Sequence, residues 1–160
     1  MTLAVSYASG PSDKPLLGST IGKFFDYAAG RYAEREAVVS IHQQVRFTYS
    51  ELAERVNKLA KAFISAGFQK GDRIGIWSPN NVQWLFTQYA TAKAGLILVT
   101  INPAYRSHEL AYVLRQSGCK GLILQNNLRS SNYEQMLCEL CPELSNVSTG
   151  KLVSIEYEHL

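Results

Sequence analysis

Few residues in this chain of 160 have the type and spacing to do chemistry. Cys138 and Cys141 form a C-x-x-C pair, and a third thiol, Cys119, stands apart. Such a pair is either a redox couple or half a zinc site. Zinc takes about four ligands, and neither a second C-x-x-C nor an H-x₃₋₅-H occurs, because His42, His108 and His159 stand alone. A redox pair usually sits at a helix N-terminus after a strand, whereas these thiols come late in a helical pattern, just before Pro142. The simpler reading is two thiols near a helix end, and three cysteines do not make a disulfide framework. His108 beside Glu109 suggests an acid–base pair, yet adjacent helical residues point to different sides. Asp72-Arg73 reads as a solvated link between a helix and a strand.

Phosphate chemistry calls for a glycine-rich loop ending in lysine. The Gly-Lys pairs are Gly22-Lys23 and Gly150-Lys151. The second, in Ser148-Thr149-Gly150-Lys151, lacks both the glycine spacing and the trailing hydroxyl, and reads as a surface turn. No G-x-G-x-x-G is present, which argues against an independent nucleotide-binding domain. Asn102-Pro103-Ala104-Tyr105 is more suggestive, because ligands of open α/β sheets gather past the carboxyl ends of strands. Its structural reading is stronger. Pro103 stops the strand and biases Asn102 to an extended conformation, and Tyr105 packs on the turn and hydrogen-bonds it. No catalytic, cofactor-binding or metal-binding residue is assigned.

The elements that would position these residues are legible from periodicity and punctuation. Residues 1–18 are rich in Ser, Gly and Pro and predict a flexible N-terminal arm. Residues 19–160 then read as one folded unit. A helix starts near Thr20, with Ile21, Phe24, Phe25 and Ala28 on one face and Gly30 as its stop. Residues 37–41 and 45–49 are β-prone runs of a hairpin whose turn lacks Gly or Asn. Thr48 and Glu51 fit a capping box. Leu52, Val56, Leu59, Ala60, Phe63 and Ile64 follow on one helical face, and Gly67 sits where a left-handed cap belongs. Residues 73–77 form a strand stopped by Pro79. Asn80, with Gln83 three residues on, caps a helix carrying Val82, Leu85, Phe86, Tyr89 and Ala90. Gly95 ends it. Residues 96–99 are continuously apolar, as in a strand buried on both faces. A helix over 107–116 turns Leu110, Val113 and Leu114 inward and ends at Gly118. A strand at 121–124, a helix over 130–141 and a final strand at 152–155 complete the pattern. This alternation predicts an α/β fold, a mostly parallel sheet flanked by helices plus an early β-hairpin.

Composition narrows the function classes. Hydrophobic residues at 46% and charged residues at 18% are ordinary for a globule. At this length a chain can bury about 68–70% of its unfolded surface. A net charge of +3 from scattered basic residues gives no field for nucleic acid. No run approaches the ~18 apolar residues of a membrane span. The start lacks the basic-then-apolar pattern of a secretory signal, and the first arginine is Arg31, against an Arg-rich presequence. The expected compartment is the cytoplasm.

Ordered along the chain are Thr48-Tyr49-x-Glu51-Leu52, Gly71-Asp72-Arg73-Ile74, Pro79-Asn80-Asn81 with Trp84, Ala92-x-Ala94-Gly95, Asn102-Pro103-Ala104-Tyr105 and Glu109-Leu110. Each alone is weak. In this order and spacing, over about residues 21–143, they resemble the early part of the acyl-CoA synthetases, the ATP-dependent adenylate-forming ligases. The run from Ala90 to Val99, continuing through Ile101-Asn102-Pro103-Ala104-Tyr105, looks closest to medium-chain fatty-acid ligases.

The resemblance implies a partial N-terminal subdomain of the adenylate-forming ligase fold, residues 19–160 being an incomplete AMP-binding domain. It implies a parent reaction in which a fatty acid attacks the α-phosphate of ATP, giving acyl-adenylate and pyrophosphate. The thiol of CoA then displaces AMP, and Mg²⁺ neutralises phosphate charge. That family's phosphate loop, aromatic adenine motif, ribose-binding Asp and late Lys have no counterpart here. The expectation is that this chain binds no cofactor and forms no adenylate by itself. The alternative is a non-catalytic interaction or split-enzyme module that completes or binds a ligase partner. Trp77 and Trp84 could line an acyl channel in such an enzyme, although core packing is the commoner use of such residues.

Overall fold

The computed structural model describes Gly10, residues 13–146, Glu156, Tyr157 and Leu160. Most of the expected arm, the Ser148–Lys151 turn, the strand expected at 152–155 and His159 lie outside the described residues. The expected α/β architecture is present.

Helix α1 (Ile21–Arg31) begins where Thr20 Oγ1 accepts the Lys23 amide at 3.3 Å. Its buried face is Gly22, Phe25 and Ala29, whereas Ile21 and Phe24 are 65% and 43% exposed. The stripe expected from apolar spacing is therefore rotated. Gly22 explains why: a Cβ there would lie 3.1 Å from Lys93 Cα, so the missing side chain lets α1 approach the third helix closely. Gly30 does not stop the helix, which runs on to Arg31 and closes with the Tyr32 amide on the Ala28 carbonyl at 2.9 Å.

Strands β1 (Glu36–Ser40) and β2 (Val45–Thr48) form the antiparallel hairpin. Gln44 supplies the turn's left-handed residue at φ 55°. Helix α2 (Tyr49–Ser65) carries the predicted capping box: the Glu51 amide donates to Thr48 Oγ1 at 3.3 Å, and the Thr48 amide donates to Glu51 Oε2 at 2.8 Å. Leu52, Val56, Ala60 and Phe63 are buried, but Ile64 is 61% exposed.

Strand β3 (Arg73–Trp77), helix α3 (Val82–Ala94), strand β4 (Ile97–Ile101), helix α4 (Ser107–Ser117) and strand β5 (Gly121–Leu124) follow. Asn81, not Asn80, caps α3. Gly95 and Gly118 take left-handed conformations at the ends of α3 and α4, as their positions predicted. Strands β6 (Asn127–Leu128) and β7 (Ser131–Asn132) make a small hairpin not foreseen from the sequence. Because that hairpin uses Ser131 and Asn132, helix α5 (Tyr133–Leu140) starts later than expected and is capped by Asn132. A 3-10 turn (Pro142–Asn146) follows.

The sheet order is β4-β3-β5, with both pairings parallel. Strand β3 is central and buried from Ile74 to Trp77. Strand β4 is not buried on both faces as expected: it is an edge strand, and Ile97 is 47% exposed. A continuous apolar run marks a strand without reporting how many neighbours cover it.

Alternation along β3 divides the core in two. Ile74 faces a cluster with Phe25, Leu52, Val56 and Phe63. Trp77 faces a second cluster with Ile101, Leu110, Leu114, Tyr133 and Leu137. Gly75 points to the second side, where a Cβ would come 2.9 Å from Leu122 Cδ1. Thr87 and Thr91, buried in α3, are satisfied by the carbonyls of Gln83 and Thr87 at 2.8 and 2.9 Å.

Candidate functional site

The polar side chains of the described residues converge most clearly past the carboxyl ends of β3 and β5. After Trp77 the chain leaves the sheet through Ser78 and Pro79 and re-enters order as α3. Asn81 organises that turn. Its Oδ1 accepts the Trp84 amide at 2.8 Å, and its Nδ2 donates to Ser78 Oγ at 2.9 Å and to Gln125 Oε1 at 3.1 Å. Gln125 follows β5, and its Nε2 donates to the Asn127 carbonyl at 2.8 Å.

The β1–β2 turn closes the other side. Gln43 Oε1 accepts the Val82 amide at 2.8 Å and the Ser40 hydroxyl at 3.0 Å, and Gln43 Nε2 donates to Gln83 Oε1 at 2.8 Å. Three elements distant in sequence thus surround a cleft of about 580 Å³. Ile76, Ile123 and Leu124 supply apolar lining, and Trp84, half-buried, supplies an aromatic wall.

The chemistry available there is recognition. Among the described residues of the lining, His42 is the lone titratable side chain, and its Nδ1 lies 3.3 Å from Ser40 Oγ. The carboxamides of Gln43 and Asn81 already hold backbone and side-chain partners, so they act as struts. The cleft can hydrogen-bond neutral groups and stack a ring. Among the described residues it presents no carboxylate, thiol or lysine to act as base or nucleophile. Among the described residues no group of three His, Cys, Asp or Glu side chains could hold a metal ion.

Of the residues singled out from the sequence, His42, the Pro79-Asn80-Asn81 motif and Trp84 line this cleft, and the thiols, His108, Asp72 and the Asn102–Tyr105 turn do not. Asn102-Pro103-Ala104-Tyr105 is a folded turn: Asn102 Oδ1 accepts the Ala104 amide at 2.9 Å, and the Tyr105 amide donates to the Asn102 carbonyl at 3.0 Å. The hydroxyl that binds this turn belongs to Tyr133, which donates to the Pro103 carbonyl. The Tyr133 ring stacks on Trp77 with centroids 4.0 Å apart, and Trp77 Nε1 donates to the Asn102 carbonyl at 3.2 Å. Trp77 is therefore core. Tyr133 went unnoticed because nothing local marks a tyrosine whose partners lie 30 and more residues away.

Cys138 is half-buried and Cys141 buried, both at the C-terminal end of α5. Burial pushes the Cys119 thiol above its ordinary range. His108 is exposed, and Glu109 caps α4 by accepting the Arg106 amide at 3.0 Å, which holds its carboxyl below the usual range. Asp72 stands at the opposite end of the sheet. Its Oδ2 accepts the Gln69 amide at 2.8 Å and the Lys120 ammonium at 3.0 Å, and these bonds, the amide's first, lower its pKa. Lys23 sits in the first turn of α1, and its amide serves the Thr20 cap.

The profile of the AMP-binding enzyme family matches residues 25–158. Medium-chain acyl-CoA ligase ACSF2, mitochondrial, of Mus musculus is 43% identical over 150 residues, covering 94% of this chain and 24% of that protein. The Danio rerio protein of the same name is 40% identical over 153 residues, covering 96% of this chain and 25% of its own length. The chain thus spans about a quarter of the length of these relatives.

Among solved structures, the N-terminal domain of FACL13 from Mycobacterium tuberculosis superposes with a TM-score of 0.64 at 30% identity, covering 66% of this chain and 26% of that one. The N-terminal subdomain of NpsA from Klebsiella oxytoca gives 0.63 at 26% identity, covering 69% and 28%. Sequence and fold agree on one conclusion: the chain belongs to the AMP-binding enzyme family, the adenylate-forming ligases, and has the architecture of part of their N-terminal subdomain.

Proposed function

We propose that this chain is scaffold from the N-terminal part of an ATP-dependent fatty acyl-CoA ligase, residues 19–160 contributing to its AMP-binding domain. The supporting observation is 43% identity to a medium-chain acyl-CoA ligase along 94% of the chain. The parent reaction would take fatty acid, ATP and CoA with Mg²⁺ and yield acyl-CoA, AMP and pyrophosphate. In this reading the described residues shape and brace the sheet, and the chain forms no adenylate by itself and binds no cofactor. The cleft's lining supports that assignment, because the carboxamides of Gln43, Asn81 and Gln125 are committed to structural bonds and, among the described residues, no cationic side chain lines it to meet phosphate. The cytoplasmic placement expected from the sequence belongs to this reading. Import of the tagged natural gene product into mitochondria, the compartment for which the vertebrate relatives are named, would replace it.

The test is a pair of assays. Purified chain given ATP, Mg²⁺, CoA and a panel of fatty acids is expected to release no pyrophosphate above the acid-free control. The same segment exchanged into the mouse ligase is expected to preserve acyl-CoA formation. Acid-dependent turnover by the chain alone, or a folded chimera without activity, would sink the proposal.

A second reading keeps the chain as an interaction or split-enzyme module that docks with the remainder of a ligase. It is favoured by the edge of β4, which no strand pairs among the described residues, and by the exposure of Ile97 there.

A further inference from the structure

A second concavity lies on the face of the sheet occupied by α2 and α3, adjoining the carboxamide cleft, with which it shares Gln83 and Ile123. It is an open trough of about 600 Å³ between α2, α3 and the side of β5. Its floor is apolar, built from Leu59, Phe86 and Ile123, while Arg55, Lys58 and Ala62 on its α2 rim are exposed. Among the described residues the two cations are the charged residues of the lining, and no carboxylate lines it. Neither takes part in an ion pair: the described pairs use Arg46, Lys93, Arg115 and Lys120 instead. The Arg55 guanidinium rests 4.6 Å from the centre of the Phe47 ring, which holds it in place and leaves its outer donors to solvent.

We propose that this trough is a docking surface for an amphipathic helix that carries carboxylates beside its apolar face. Charge complementarity selects that partner, because a lone pair of cations on an apolar rim is matched by acidic side chains and repels basic ones. Geometry selects the helix. Arg55, Lys58, Leu59 and Ala62 occupy one face over two turns of α2, about 10 Å, which suits anchors at i, i+3, i+4 and i+7 on a helix lying alongside. The shape also disfavours a small ligand, since small-molecule sites enclose about 70–90% of their occupant and this trough lies open along α2. The inference uses the surface alone and does not depend on the ligase reading.

The experiment compares two fluorescein-labelled helical peptides with the same leucine face, one flanked by glutamates and its twin by lysines. Anisotropy with the full chain is expected to give at least about tenfold tighter binding for the glutamate peptide. Arg55→Glu with Lys58→Glu should invert that preference, and Ala62→Arg, at an exposed rim position, should abolish binding with the circular dichroism unchanged. Equal affinity for the two peptides overturns the proposal, as does binding indifferent to the charge reversal. Two other results also overturn it by assigning the trough elsewhere. One is a dimer in sedimentation that Ala62→Arg breaks, and the other is a decanoate titration whose heat Ala62→Arg removes. The peptide readout needs no ATP chemistry, so it can fail while the ligase chimera works, and the reverse.

Discussion

At the scale of single residues, the charged and polar side chains act mainly as structural clamps. Thr48 and Glu51 start a helix, Asn81 and Asn132 do the same, Glu109 caps α4, and Asp72 ties the loop before β3 to the lysine before β5. Asp72 gives a pH prediction whose sign follows from its direction of shift. The Gln69 amide and then the Lys120 ammonium favour the carboxylate in the folded state, so the folded pKa lies below its ordinary value of 3.8. A depressed carboxyl contributes stability above its unfolded pKa and loses it as pH falls through the folded one. Urea midpoints measured from neutral pH down to about pH 2 should therefore drop for the wild type below about pH 4. Asp72→Asn should start lower at neutral pH and show a shallower drop in that acid window. An unchanged acid slope would remove Asp72 from this role. The residue scale was partly open to sequence reading. Caps are local, needing only a hydroxyl or carboxamide next to a periodic run, so Thr20 and Thr48 were legible. The choice between Asn80 and Asn81 was not, because it turns on the contacts Asn81 makes with Ser78 and Gln125.

The elements themselves were the most legible level. Period, caps and left-handed glycines located β1 through β5 and α1 through α4 within a few residues. Orientation was less so. Helix α1 turns Gly22 inward and leaves Ile21 and Phe24 partly in solvent, because close approach to α3 outweighs the burial of those side chains. The same logic makes Gly75 a packing residue of the central strand. A methyl there would meet Leu122 Cδ1 at 2.9 Å, with Cys119 Sγ and Ile101 Cδ1 at 3.3 Å. Three side chains on that face must give way at once, so Gly75→Ala should destabilise by about 1–3 kcal/mol. Denaturant unfolding with an unchanged m-value checks it, and a neutral or stabilised variant would show that the pocket relaxes freely.

On the scale of the whole molecule, two apolar clusters share one narrow sheet. Among the described residues the three strands leave two edges, β4 and β5, and β4 carries Ile97-Leu98-Val99-Thr100-Ile101 without a charge or proline. Natural edges are usually blunted by lysine, proline or a bulge, and an unblunted apolar edge templates association. Ile97→Lys should accordingly lower light scattering and hydrophobic-dye binding of concentrated chain while leaving the unfolding midpoint close to wild type. Persistence of the scattering would place the sticky surface elsewhere. The cleft also belongs to this scale. Gln43 lies 39 positions from the Val82 amide it accepts, and Asn81 lies 44 from Gln125. No local pattern joins them, and glutamines in a turn read as solvent-facing.

What the residues determined alone was much of what short-range rules set: where most helices begin and end to within a few residues, which longer runs are strands, and a motif order specific enough to name a family. Those features depend on neighbours within a turn or two, so they survive in a linear string. Tertiary structure alone decided that α1 turns Gly22 inward, that β4 is an edge, that Tyr133 locks the Pro103 turn onto Trp77, and that a hairpin glutamine meets a helix cap beside β5. Each of these depends on which distant surfaces come together, and in this chain a single missing Cβ or a carboxamide dozens of residues away settles that.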